Sequence, residues 1–179
     1  MAREWVQNGV AWREVGVYGD IGNKVARCPP AWWCSAVFLS RSTHSLDDKG
    51  RVILPVRWRG ALEGGAFVTE YSNGCLAVFD PQEFMKVAER VRSVSQRGAS
   101  ERFMTLSFFS SAVEVAPDKQ GRIAIASHLR DYANLDGDVV LAGHFDHIEI
   151  WNPMEYDRRK GEGTTMLHSE RGIGVFSGP

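Results

Sequence analysis

The sequence predicts an α+β protein, mainly β, in which two copies of one unit follow each other along the chain. The chain has 179 residues and a mass of 20.0 kDa, enough for one domain or two small ones. It is 44% hydrophobic and 24% charged, the balance of a soluble globular protein. Aligning the chain with itself reveals an internal repeat with a period of about 70 residues. Because there are two copies only, we expect one pseudo-two-fold domain with flanking helices.

Two separated blocks carry this repeat. The first is the pattern D-x-x-G-R, which occurs as Asp47-Asp48-Lys49-Gly50-Arg51 and again as Asp118-Lys119-Gln120-Gly121-Arg122. In the second block the segment 76–84 matches 148–156, with apolar residues facing apolar ones. The offset between the copies grows by a single position from the first block to the second. The same order with so small a shift indicates duplication and not chance.

Each copy contains the same succession of predicted elements: a strand, a glycine turn, a second strand, a short helix, and a hairpin of two strands that leads into another helix. The first copy places them at 51–54, 55–62, 66–71 with 75–79, and a helix that runs from Asp80 to about Gln96. The second copy places them at 123–126, 127–133, 139–142 with 148–151, and a helix from Asn152 that is expected to stop at Gly161. Asp80 and Asn152 are each followed by Pro and then Glu, which is typical of helix starts. A further short helix over 100–111 is predicted to join the copies.

Four segments follow from this pattern. Residues 37–108 form the first repeat and 109–160 the second. Residues 1–36 hold four of the six tryptophans without any period, so we expect an extension that is disordered, or a start codon placed too far upstream with translation beginning near Val37. The glycine-rich tail, 161–179, is expected to be flexible.

Several functional classes are disfavoured by the sequence. No window approaches the roughly 18 apolar residues of a membrane span, so we expect a cytoplasmic protein with no membrane partner. The three cysteines form no C-x-x-C pair, and no P-loop, G-x-S-x-G or H-E-x-x-H motif occurs, so neither an enzyme nor a cofactor is expected. His144 and His147 are interpreted as the tip of a loop between two strands, and no metal site is predicted.

The D-x-x-G-R elements are the candidate functional site. Asp and Gly at these positions predict tight turns, because Asp accepts from nearby backbone amides and Gly tolerates a positive φ. The turn does not explain the arginine after each glycine, Arg51 and Arg122. A guanidinium steadied by the Asp and presented outward is well suited to phosphate or to the acceptor edge of guanine.

The first turn also lies in a basic segment of an otherwise neutral chain. The formal net charge is −1, yet between Lys49 and Arg59 there are four basic residues and no acidic one. Arg57 and Arg59 are predicted on the short helix, and Arg130 takes the corresponding place in the second copy. Phosphate contact and a merely solvated basic face both remain open for these residues. Trp58, between two arginines, is either a stacking platform for bases or a packing residue, as are Phe103, Phe108 and Phe109.

Residues 46–55, 118–123 and 148–151 together resemble the MraZ family of bacterial transcriptional regulators, and the resemblance covers about 37–159. It implies a fold related to the AbrB-type swapped-hairpin barrel, with two repeats forming one pseudo-symmetric barrel and subunits closing into a ring. It also implies a nucleoid-associated regulator of the division and cell-wall gene cluster that binds short direct repeats of double-stranded DNA in its own promoter.

The resemblance further implies a set of DNA-contacting residues. Arg51 and Arg122 are the expected contacts, Asp47 and Asp118 their orienting partners, and Lys49 and Lys119 lie nearby; Arg57 and Arg59 complete the predicted site, with Gly50 and Gly121 in the turns. Several basic patches on one ring face would bind DNA although each chain is neutral. The alternative from another class is an oligomeric scaffold whose basic patch binds an acidic protein partner.

Overall fold

The computed structural model describes residues 4–7, 10–13, 37–94 and 98–169, and the chain divides into two compact units, Met1–Cys34 and Ser35–Pro179. In the first unit the described residues form an antiparallel hairpin of β1 (Glu4–Gln7) and β2 (Val10–Arg13). The sequence patterns predict no element there. The rest of segment 1–36, with Cys28 and Cys34, lies outside the described residues, as does 170–179 of the predicted flexible tail.

The second unit is a mixed α/β structure whose strands all pair antiparallel. Its elements, in chain order, are β3 (Arg41–Ser45), β4 (Arg51–Ile53), α1 (Val56–Arg59), β5 (Ala66–Glu70), β6 (Leu76–Phe79), α2 (Pro81–Val94), α3 (Ala99–Ser111), β7 (Val113–Val115), β8 (Arg122–Ala124), α4 (Ser127–Tyr132), β9 (Asp138–Gly143), β10 (Ile148–Trp151) and α5 (Pro153–Leu167). Gly60–Leu62 and Ser72–Gly74 form short 3-10 turns. The predicted succession of elements is therefore confirmed in both copies, with small shifts at the ends of most elements.

The main sheet exchanges strands between the two copies. Its order is β3-β9-β10-β6-β5-β7, so that the first strand of each copy pairs with the hairpin of the other copy. The centre of the sheet is the β6–β10 pair, where Val78 lies opposite Ile148 and Leu76 opposite Ile150. These two pairs are equivalent under the repeat. The sheet therefore carries the pseudo-two-fold symmetry that the duplication predicts.

A separate two-stranded ladder follows the same pseudo-two-fold symmetry. Strand β4 pairs with β8, and its central pair is Val52 opposite Ile123, two residues that are equivalent in the repeat. Beyond the ladder, Leu54 N donates to the carbonyl of Gly121 at 2.8 Å and Ile125 N donates to that of Gly50 at 2.9 Å. Each copy thus holds the turn of the other through a reciprocal hydrogen bond. The described strands form one open sheet and these small ladders, with no closed barrel among them.

The core lies between the main sheet and the β4–β8 ladder and is built from both copies. Val52, Leu54, Ile123 and Ile125 of the ladder region are nearly or completely buried, and so is Trp58. They pack with buried residues of the main sheet, including Phe38, Val68, Val78, Leu141, Ile148 and Ile150. Because each CH₂ group withdrawn from water contributes about 0.8 kcal/mol, this shared core holds the two copies together as one unit.

The flanking helices start where the sequence predicts. Asp80 Oδ1 accepts from the backbone amides of Gln82 (2.8 Å) and Glu83 (3.0 Å), and the Asn152 side chain caps α5 in the same way. The prediction that the second helix stops at Gly161 is wrong, because α5 continues to Leu167.

The physical reason for the longer α5 is local charge pairing. Arg158 donates to Glu155 at 2.6 Å and to Glu162 at 3.0 Å, and Arg159 donates to Glu162 at 3.4 Å. The two pairs with Glu162 lie three and four positions apart and span Gly161, whose cost in a helix interior is only about 1 kcal/mol. Within the described part of the chain, no helix has both the length and the apolar character needed to cross a membrane.

Candidate nucleic-acid interface

The two D-x-x-G-R elements fold into identical turns. In the first, Gly50 N donates to the carbonyl of Asp47 at 2.8 Å, and Asp47 Oδ1 accepts from the backbone amides of Lys49 (3.0 Å) and Arg51 (2.9 Å). Gly50 has a φ of +68°, a left-handed value that favours glycine. The turn prediction is confirmed, and the Asp side chain accounts for the backbone geometry.

The second turn repeats these contacts. Gly121 N donates to the carbonyl of Asp118 at 2.7 Å, and Asp118 Oδ1 accepts from the amides of Gln120 (2.9 Å) and Arg122 (3.0 Å). Gly121 has a φ of +78°. The agreement between two turns so far apart in the chain indicates that both copies are built to hold the arginine in one position.

Each arginine is clamped by the Asp of its own turn. Arg51 Nε and Nη2 lie 2.8 and 2.7 Å from Asp47 Oδ2, and Arg122 Nε and Nη2 each lie 2.8 Å from Asp118 Oδ2. The two arginine side chains are 29% and 27% exposed. The predicted steadying of each guanidinium by its Asp is therefore present.

Because β4 pairs with β8, the two clamps also meet each other. Arg51 Nη1 lies 3.9 Å from Asp118 Oδ2, and Arg122 Nη1 lies 3.8 Å from Asp47 Oδ2. The four side chains form one pseudo-symmetric group, which we call the Arg–Asp cluster. Its formal charge is zero, since two arginines face two aspartates. Its arginines nevertheless keep part of their surface in solvent, where an anion such as phosphate can approach them.

The ionisation of the cluster agrees with its geometry. The side-chain hydrogen bond from Arg51, with the backbone amides behind it, lowers the pKa of Asp47 to about 2. The backbone amide of Arg122, followed by its side chain, lowers the pKa of Asp118 to about 2. The hydrogen bond to Asp47 in turn raises the pKa of Arg51. Asp47, Asp118 and Arg51 are therefore charged at neutral pH.

Arginines of the short helices cover the turns of the opposite copy. Arg59 Nε donates to the carbonyl of Leu54 at 2.8 Å, and its side chain lies where a Cβ on Gly121 would be. In the equivalent position Arg130 lies over Gly50, where an added Cβ would be 2.8 Å from Arg130 Cζ. Arg59, predicted on the short helix of the first copy, therefore lies over the turn of the second copy. Arg130, whose buried Nε has no hydrogen-bond partner, belongs to the same surface. Its equivalence to Arg59 in the repeat is the sequence feature that indicates this position.

The remaining predicted basic residues surround the cluster at the surface. Lys49 and Lys119 are exposed on the two turns, and Arg57 is exposed on α1. Burial, followed by the positive charges of Arg57 and Arg59, lowers the pKa of His44 on β3. A groove of about 510 Å³ runs beside the first turn, with Lys49, Ser127 and Arg130 among its lining residues. Basic side chains of both copies therefore surround the neutral cluster, with Asp48 beside Lys49 and Glu114 in the groove.

Of the candidate stacking residues, Trp58 is a packing residue. It is 2% exposed, contacts Phe38 edge to face at 6.1 Å between ring centroids, and is covered by the Arg57 guanidinium at 4.9 Å. Phe108 likewise packs against Phe84 in the core, at 6.0 Å. Phe103 is 69% exposed on α3. None of these rings lies in the Arg–Asp cluster.

Comparison with known proteins identifies the family. The family described as "MraZ protein, putative antitoxin-like" matches residues 37–106 and 108–167, one copy on each repeat. A protein named "Transcriptional regulator MraZ" from Salinispora arenicola is 42% identical over 121 residues, which cover 68% of this chain and 85% of that protein. A protein of the same name from Mycolicibacterium smegmatis is 41% identical over 137 residues, which cover 75% of this chain and 96% of that protein. Another from Desulforamulus reducens is 38% identical over 122 residues, which cover 68% of this chain and 86% of that protein. The chain belongs to the MraZ family.

Proposed function

We propose that this protein is a transcriptional regulator that binds double-stranded DNA through the Arg–Asp cluster. The relatives named as transcriptional regulators support the regulatory class, which is not a class of enzymes. The observation that carries the DNA-binding proposal is the side-by-side placement of Arg51 and Arg122. Two guanidiniums, each held by an Asp and partly exposed, form a preorganised pair of anion-binding groups on a rigid strand ladder.

The proposed division of work separates positioning from reading. The exposed Lys49, Lys119 and Arg57 contact phosphates and set the orientation of the protein on the duplex, without reading sequence. The clamped arginines present a fixed donor fork, which suits the O6 and N7 acceptors of guanine in the major groove. Asp47 and Asp118 orient the forks and lower the non-specific attraction by cancelling their charge.

We further propose that the two repeats form an AbrB-like swapped-hairpin unit, supported by the exchange of β3 and β7 between the copies. The protein is proposed to act as a ring-shaped homo-oligomer on direct repeats in the promoter of its own division and cell-wall gene cluster, within the nucleoid and the cytoplasm. Helix α3 supports assembly, since it exposes Phe103, Met104 and Leu106 by 61% or more. Such a row of apolar side chains is typical of a contact between subunits. Repeated subunits then raise the affinity of a neutral chain by avidity.

Fluorescence anisotropy of the full chain tests this proposal. The protein is titrated onto its own upstream DNA and onto a shuffled duplex of the same composition, at several salt concentrations. We expect a clear preference for the upstream DNA, and log K falling linearly with log salt by roughly 0.9 per phosphate neutralised. Equal, weak binding to both duplexes would reject sequence-specific regulation and favour the scaffold with an acidic protein partner.

A further inference from the structure

A second group of chemically active side chains lies at the end of β9. The first D-x-x-G-R turn lies at the start of this strand, where Ser45 pairs with Asp138. His144, His147 and Glu149 occupy the β9–β10 connection and the start of β10, and each offers one ligand atom within 4.8 Å of the others. His144 is exposed, His147 is 3% exposed and Glu149 is half-buried. The sequence pattern singles out only the two histidines, and Glu149, which follows on β10, completes the set.

The two imidazole nitrogens of His147 have different surroundings. Nδ1 lies 2.6 Å from Asp146 Oδ1, whereas the buried Nε2 has no hydrogen-bond partner and lies 3.6 Å from Glu149 Oε1. The ring is held in place by Tyr71 and Phe79, at 5.1 and 5.0 Å between centroids. A buried nitrogen aimed at a carboxylate, without a hydrogen bond, is an unsatisfied polar group that needs an explanation.

We propose that His144, His147 and Glu149 bind a divalent transition-metal ion of the Zn²⁺ type. Two imidazoles and one carboxylate are donors that Zn²⁺ takes in four-coordinate sites, with N and O ligands about 2.1 Å from the metal. Ligands at that distance and at tetrahedral angles are about 3.4 Å apart, close to the 3.6 Å between His147 Nε2 and Glu149 Oε1. The ligand atom of the exposed His144 lies within 4.8 Å of the other two, and a fourth position is left for water.

The residues that contact His147 and Glu149 are of the kind that support the ligands of a metal site. A histidine that binds zinc almost always donates its other N–H to a carboxylate, which fixes its tautomer, and Asp146 occupies that place for His147. Glu149 is oriented in turn, since its Oε2 accepts from Trp151 Nε1 at 2.9 Å. One atom of each side chain, His147 Nδ1 and Glu149 Oε2, is therefore held by a neighbour, while His147 Nε2 and Glu149 Oε1 lie 3.6 Å apart.

The first copy provides an internal comparison. At the equivalent positions of the repeat it has Ser72, Cys75 and Ala77, and it forms the same hairpin. The hairpin therefore does not require the two histidines and the glutamate for folding. The donor set belongs to the second copy alone, which indicates a role beyond the turn.

Zinc titration of the full chain tests the proposal. Protein without a histidine tag is treated with EDTA, dialysed and titrated with ZnCl₂ by calorimetry, in a Cys28→Ser/Cys34→Ser background that removes two other thiol ligands. We expect one Zn²⁺ per chain, and a Kd raised tenfold or more by His144→Ala and by Glu149→Gln. His168→Ala, which removes an exposed histidine outside the cluster, is the matched control and should leave the Kd unchanged.

Two results would overturn the site. One is the absence of zinc binding, which would mean that a proton on Nε2 satisfies His147 between Asp146 and Glu149. The other is zinc binding that neither His144→Ala nor Glu149→Gln weakens. His147 itself is left intact, because it is buried and its loss would endanger the fold. DNA affinity measured on His144→Ala separates this proposal from the regulator function, since the metal site and the turn lie about 17 Å apart along β9.

Discussion

Removal of Arg51 perturbs the Arg–Asp cluster in a way that the structure defines. The cluster holds two positive and two negative side chains, so Arg51→Ala changes its formal charge from zero to −1. Asp47 then loses its partner at 2.7 Å, and Asp118 loses a second cation at 3.9 Å. The variant therefore removes one anion-binding fork and leaves uncompensated negative charge beside the other.

The expected magnitude follows from what one arginine fork contributes to DNA binding. Removing a bidentate arginine weakens binding by roughly 10- to 100-fold, and removing one phosphate contact lowers the salt slope by about 0.9. Arg122→Ala should have the same effect, because the two arginines have equivalent surroundings. Arg122 lies 2.8 Å from the Asp of its own turn and 3.8 Å from the other Asp, and the matching distances for Arg51 are 2.7 and 3.9 Å. The fold should persist in both variants, since the ion pairs are partly exposed and contribute little to stability.

Anisotropy with the upstream duplex measures both variants, beside Lys160→Ala as the matched control. Lys160 is an exposed residue of α5, and its removal takes one positive charge from the chain without touching the cluster. The reasoning is refuted if Arg51→Ala and Arg122→Ala, each with a wild-type circular dichroism spectrum, bind DNA no more weakly than Lys160→Ala.

Asp47→Asn provides the opposite perturbation of the same cluster. The amide oxygen of Asn continues to accept from the backbone amides of Lys49 and Arg51, but the guanidinium loses its charged partner. The cluster becomes +1, so affinity for the shuffled duplex should rise, while preference for the upstream duplex should fall because Arg51 is no longer oriented. Unchanged preference would show that Asp47 serves the turn alone.

Three further outcomes are expected. Gly121→Ala should lower stability by about 1 to 2 kcal/mol, measured by urea unfolding, because φ is +78° and the new Cβ would overlap the Arg59 side chain. The pKa values of Asp47 and Asp118 are about 2 in the folded protein, below the ordinary 3.8, so their contribution to stability is present above pH 4 and is lost as the pH falls toward 2. In a variant with Asn at both positions, the free energy of unfolding should therefore change less between pH 4 and pH 2. Phe103→Asp should reduce the oligomer mass measured by light scattering, and an unchanged mass would exclude α3 as the subunit contact.

Much of the fold follows from the sequence because the same turn and helix-start patterns occur in both copies of the repeat. The D-x-x-G-R turns and the caps at Asp80 and Asn152 depend on contacts between near neighbours in the chain, and the structure contains them as predicted. The exchange of β3 and β7 between the copies is a long-range pairing, which no local pattern specifies. In the first unit, the antiparallel pairing of β1 with β2 follows from none of the patterns used to predict the two copies.

The candidate site could be predicted only in part. Arg51 and Arg122 follow from the repeat, but their meeting with both aspartates requires the β4–β8 register. The position of Arg130 over Gly50 and of Arg59 over Gly121 depends on the same pairing. The length of α5 does not follow from Gly161 alone, because the pairs of Arg158 and Arg159 with Glu162 span this glycine. The His144, His147 and Glu149 group needs a hairpin turn to bring its members together.

The pseudo-two-fold symmetry of one chain raises a question about direct repeats in DNA. A symmetric pair of turns would contact a duplex equally well in either orientation, which favours palindromes over direct repeats. The turns differ, however, at their exposed tips: Asp48 and Lys49 in the first copy correspond to Lys119 and Gln120 in the second. The first tip is formally neutral and the second carries +1, so the two turns are not interchangeable on DNA. In the proposed function this difference would give each chain a direction on DNA, and the proposed ring would then follow sites that all point the same way.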